Sequence, residues 1–129
     1  MEWDAWTERL KKALGHDATI RLRELFAPTG VFGDPVTDST TDIASVENVT
    51  DAAFPDWKQV VTSSHGSPAG GAFEWVGTGT IGGNTRIEIH GCTMVELDSA
   101  GLVTRWRDYF DLKEIEKQMG GTIEDYQQQ

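Results

Sequence analysis

The chain has 129 residues and a formal net charge of −10, which suits one domain large enough to bury a core and too small for two. That excess of acid opposes phosphate backbones and anionic membranes, and no basic stripe reverses it locally, so nucleic acid and membrane surfaces are excluded as expected partners. The lone cysteine, Cys92, allows no intrachain disulfide and forms no metal-ligand spacing with His16, His65 or His90, so no metal and no cofactor are expected. The opening MEWDAW is acidic, without a basic head or an apolar core, and no apolar run reaches bilayer length; a cytoplasmic protein is expected.

Trp3, Trp6, Leu10, Ala13 and Leu14 share a helical face, and Gly15 follows where a helix stops. Asp17 is placed to cap a second helix carrying Ile20, Leu22, Leu25 and Phe26 and closing before Pro28. Val31–Val36 is expected as a short strand in which Pro35 forces Asp34 into an extended conformation. A polar loop over 37–41 leads to a weak helix over 45–53, which ends at the Phe54-Pro55 step. From Lys58 the character changes to sheet. Strands are expected over 58–63, 72–80, 85–97 and 102–110, separated by glycine-bearing turns, as an antiparallel meander. Asp111 and Glu114 have capping-box spacing for a helix over 112–119, which Gly120-Gly121 ends before a polar tail. Helices first and a sheet afterwards define an α+β class, with helices on one face of the sheet.

The stretch LVTRWRDYFDL combines alternation, aromatics and an acid. At period two, Trp106, Asp108 and Phe110 point one way and Arg105, Arg107 and Tyr109 the other. A carboxylate held between aromatic rings is costly to ionise, so its pKa moves toward values useful for proton transfer. Asp108 is therefore the first catalytic candidate. The competing reading is structural: Asp108 accepts a backbone hydrogen bond or pairs with an arginine from a neighbouring strand.

The order of elements, together with AFPDW, FEWVGTGT, RIEIHG and WRDYFDL, resembles the SnoaL-like polyketide cyclases and the limonene-epoxide-hydrolase-like proteins of the nuclear transport factor 2-like superfamily. The resemblance covers about residues 5–117 of a single domain. It implies a cone of curved sheet, a cystatin-like roll, closed by the N-terminal helices around an apolar pocket, and it gives Asp108 the general acid/base role. The same resemblance places Ala72 and Glu74 where the epoxide hydrolases carry an arginine and a second acid, and Phe32 and Asp34 where they carry a tyrosine and an asparagine that hold the attacking water. Asp34-Pro35-Val36 resembles the segment bearing the base of ketosteroid isomerases, but Leu10 and Thr93 lie near the places of that enzyme's oxyanion donors.

On this reading Asp34, Glu74 and Asp108 meet in a pocket lined by Phe32, Val76, Ile87, Ile89, Trp106 and Phe110. Three such acids without a basic partner cannot all be ionised, so at least one retains its proton. The alternative register turns Phe73 and Trp75 inward and Glu74 to solvent; periodicity alone does not choose. His90 shares a face with Arg86, Glu88, Cys92 and Met94, the outer face, through which the resemblance implies a homodimer. The expected function is cofactor-independent acid/base catalysis, a cyclisation or isomerisation, on a small hydrophobic molecule. The alternative is a non-catalytic ligand-binding or dimerisation domain, and epoxide hydrolysis is disfavoured.

Overall fold

The computed structural model describes residues 1–121; the polar tail lies outside the described residues. Helix α1 (Trp3–Lys11) packs Trp3, Trp6 and Leu10 into the core, with the two indoles stacked 5.1 Å apart. The chain then turns at Gly15, whose φ of 87° is left-handed and so favours glycine. The second helix expected from Asp17 does not form. The Thr19 and Ile20 amides both donate to the Lys12 carbonyl and the His16 amide donates to the Trp57 carbonyl, which takes the two donors that an Asp17 cap would have accepted from. Only a single 3-10 turn, Leu22–Leu25, precedes strand β1 (Phe26–Gly33).

Helix α2 (Ile43–Ala53) starts at Asp42, whose side chain accepts from the Ser45 amide. The meander follows as β2 (Lys58–Ser67), β3 (Gly70–Ile81), β4 (Thr85–Leu97) and β5 (Val103–Phe110). The sheet order is β1-β5-β4-β3-β2, antiparallel throughout except that β1 runs parallel to β5. The meander is antiparallel as expected, and β1 joins it as a parallel edge strand, so the sheet as a whole is mixed. The cause is that β1 is followed by α2 and three further strands before its partner arrives, which leaves it at an edge where Pro28 is tolerated.

Alternation puts Phe73, Trp75 and Ile81 of β3 and Ile87, Ile89, Thr93, Val95 and Leu97 of β4 inside. Trp57 lies so close over Gly77 that a Cβ there would collide with the indole, and Trp75 does the same over Gly91. Glycine on the inner face thus lets large rings lie flat against the strands. Helix α3 (Leu112–Met119), capped by Asp111 and closed by the left-handed Gly120, brings Ile115 and Met119 to the core. It docks beside β4 upstream of Gly91, where β5 offers no partner. There the Gln118 side chain donates to the Glu88 carbonyl at 2.9 Å and accepts from the Glu88 amide at 2.7 Å, as a neighbouring strand would.

Candidate functional site

Between the sheet's inner face, α2, α3 and the segment 13–22 lies a cavity of about 620 Å³, lined by Phe32, Phe54, Trp57, Trp75, Trp106 and Phe110 among its apolar walls. Asp108 sits in its wall on β5. Two donors converge on one oxygen: the Thr93 hydroxyl donates to Asp108 Oδ1 at 2.5 Å and the Trp106 indole N–H donates to it at 2.8 Å. Thr93 in turn accepts from the Trp75 indole at 2.9 Å. Because Trp75 has only a proton to give, the Thr93 proton must point to Asp108, so the orientation of this chain is fixed. Among the described residues no donor reaches Oδ2, which keeps surface toward the cavity.

Burial pushes the Asp108 carboxyl up to about 7. The two hydrogen bonds pull the other way, and the charge of Asp34 adds to the rise. At neutral pH both the acid and its conjugate base are therefore populated, the condition for efficient proton transfer in either direction. Asp34 also lines the cavity, but its Oδ1 accepts the amides of Val36 and Thr37 at 2.8 and 2.5 Å. This closes the turn that folds 34–40 back onto β1, where Phe32 and Thr40 exchange backbone bonds.

Of the residues read from the sequence, Phe32, Asp34, Ile89, Trp106, Asp108 and Phe110 line this cavity. Glu74, Val76 and Ile87 do not. Glu74 is exposed and Val76 half-buried on the outer face, because the tight β3–β4 turn sets Gly77 opposite Ile89 and so turns Phe73 and Trp75 inward. Ile87 is buried in the core instead, at 1% exposure. With aromatics in the inward positions of β3, that strand supplies neither an arginine nor a second acid, while Arg86 is held by Asp56 at 3.2 Å on the surface. His90 is exposed and paired with Glu88. The sequence reading turns Trp75 inward only in its alternative register and gives no cavity role to Thr93 or Trp57. The inward alternation of β3 and β4 could have placed the first two on one face, but their bond crosses two strands.

Glu47 also lines the cavity and is itself a buried carboxyl. Its Oε2 is gripped by Arg21 and its Oε1 accepts the Arg23 amide at 2.6 Å. Arg21 also reaches Asp51 at 3.4 Å, and these bonds hold its guanidinium pKa up. Among the described residues no group of histidine, cysteine and acids could hold a metal ion, and no helix is long and apolar enough to cross a membrane.

No protein-family model matches the chain, and no curated protein does. Solved structures do. A hypothetical protein with a ketosteroid isomerase-like fold from Catenulispora acidiphila, solved with trimethylamine, is 24% identical, with a TM-score of 0.71 over 91% of this chain and 87% of that one. IdmH from Streptomyces antibioticus, a proposed polyketide cyclase, is 21% identical with a TM-score of 0.74 over 91% and 97%. An LEH-like epoxide hydrolase from Mycobacterium tuberculosis is 18% identical with a TM-score of 0.67 over 88% and 86%. The fold is thus the nuclear transport factor 2-like one, an α+β architecture of curved sheet and covering helices. Within it the neighbours are of the ketosteroid isomerase-like, SnoaL-like and epoxide-hydrolase-like kinds.

Proposed function

We propose that the protein binds a small hydrophobic molecule in this cavity and moves protons on it with Asp108, without a cofactor, in an isomerisation or cyclisation. The observation that carries this reading is a single carboxyl, tuned to about 7, with one oxygen anchored and the other open to an aromatic-walled cavity. As carboxylate, Asp108 takes a proton from a carbon next to a substrate carbonyl. The electron pair moves into an enolate, and the acid either returns the proton at a second carbon or, where the enolate attacks an internal carbonyl, gives it to the alkoxide oxygen that this attack forms. The anchoring bonds hold Oδ2 in place, which lowers the cost of orientation.

Epoxide hydrolysis is not part of this reading. Asp108 has no arginine or second acid from β3 beside it, and Phe32 offers no hydroxyl to hold a water. Incubation with limonene oxide should yield no diol above background by chiral chromatography. The proposal extends to a cytoplasmic homodimer joined through the outer sheet face, where Val60, Met94 and Tyr109 are exposed among the charges of Glu74, Arg86, Glu88 and Arg107.

The test is solvent-deuterium exchange, read by NMR, into a panel of apolar enolisable ketones. Exchange above buffer that falls by about a hundredfold or more in Asp108→Asn supports the reading. Binding of the same ketones by both proteins with no exchange in either supports the non-catalytic alternative.

A further inference from the structure

The chemistry of the cavity lining discriminates between charge types. Among the described residues its carboxylates are Asp34, Asp42, Glu47, Asp51 and Asp108, whereas Arg21 is the one cationic side chain that lines it, and Arg21 is already held by Glu47 and Asp51. An anionic ligand would meet uncompensated acid on entry and find no free cation inside. Two further parts of the lining attract a positive charge. The indoles of Trp57, Trp75 and Trp106 belong to it, and a cation over an indole face is stabilised most when water is excluded. Beside them stands the open Oδ2 of half-buried Asp108, which has no hydrogen-bond donor among the described residues. A buried carboxylate without a counter-ion is costly, and it can be neutralised either by a proton or by a bound cation.

We infer that the natural ligand carries an ammonium group on its apolar body, seated against the tryptophans of the cavity with Asp108 as its counter-ion. The inference rests on the reading of this cavity as the ligand site and adds the charge class of what enters. The acids Asp34, Asp42 and Asp51 set the sign of the field and draw cations in, a contribution that salt screens. A ligand of this kind keeps Asp108 ionised while bound, so within the proposed chemistry Asp108 begins as base rather than as acid.

Two probes of the same shape separate charge from size: benzyltrimethylammonium and neopentylbenzene, which differ in having a quaternary nitrogen or carbon at one atom. Neither donates a conventional hydrogen bond. In ligand-observed NMR titrations of the full chain at pH 8 and low salt, the cation should bind about tenfold or more tightly than the hydrocarbon. In Asp108→Asn that preference should shrink to about twofold while neopentylbenzene affinity is retained. Equal binding of the two probes by the wild-type chain overturns the inference and leaves the apolar site standing. Binding of neither overturns both this inference and the reading of the cavity. A cation preference that survives intact in Asp108→Asn overturns the assignment of Asp108 as counter-ion. The wild-type comparison decides the charge class even where the variant fails to fold.

Discussion

Buried Glu47 and half-buried Asp108 both line the cavity, and the structure treats them in opposite ways. Glu47 is surrounded by donors: a guanidinium on one oxygen and a backbone amide on the other. Asp108 receives two neutral donors on one oxygen, none on the other, and another acid within electrostatic reach. Burial alone therefore does not make a reactive acid. What separates a rivet from a proton shuttle is whether charge is returned to the carboxylate when water is removed.

Substitution should expose the contrast most strongly through stability, in opposite directions. Asp108→Asn keeps the shape and both donors but removes a group that resists ionisation. An aspartate whose folded pKa is raised favours the fold fully below its ordinary value of 3.8, and that contribution is lost as pH rises to about 7. The variant should therefore gain on the wild type between pH 4 and pH 8.5, by up to roughly 4 kcal/mol. Urea denaturation at the two pH values measures the difference, and a pH-independent gap would break the comparison. Glu47→Gln should instead lower stability at pH 7, because the half-exposed Arg21 is left with Asp51 as its ion-pair partner and the Arg23 amide loses a charged acceptor. A neutral outcome in the same assay would mean that Glu47 is as dispensable as a surface charge.

Thr93→Val sharpens the contrast at smaller scale. It removes one of the two bonds that hold the Asp108 pKa down and orphans the Trp75 indole N–H, at a cost of about 1–2 kcal/mol. If Asp108 is the base, the pH midpoint for proton exchange should move upward, a shift that a purely structural threonine would not produce. The smallest effect is expected outside the cavity. Met94→Glu, on an exposed outer-face position, should change folding by about 0.5 kcal/mol or less. In the proposed dimer it should nonetheless shift light scattering toward the monomer.

How much was legible in the sequence follows from the range of the interactions. Strand β4 and helix α3 stand where alternation, glycine turns and the Asp111 cap placed them, since those signals are local. Trp106, Asp108 and Phe110 were readable as one face of a single strand. Periodicity leaves two registers open on β3, and the structure takes the one that turns Glu74 outward, because Phe73 and Trp75 have far more apolar surface to hide. The absent second helix shows long-range bonds overriding a local cap. Nothing local joins Thr93 to Trp75, or Arg21 to Glu47. These pairs exist only once strands are in register or α2 has packed against the turn before β1.

The Gln118 amide, standing in for a strand beside Glu88, turns one backbone proton into a gauge. The Glu88 amide hydrogen is shielded by a side chain of α3 and by no strand bond of its own. Its exchange with solvent deuterium therefore sets an upper limit on how often α3 lifts from the sheet, since rotation of the Gln118 side chain also bares it. Ile115 and Met119 close one wall of the cavity from that helix, so the same excursion opens the chamber. The exchange rate at one residue would then bound the frequency with which a ligand can enter or leave from that side, without the ligand being known.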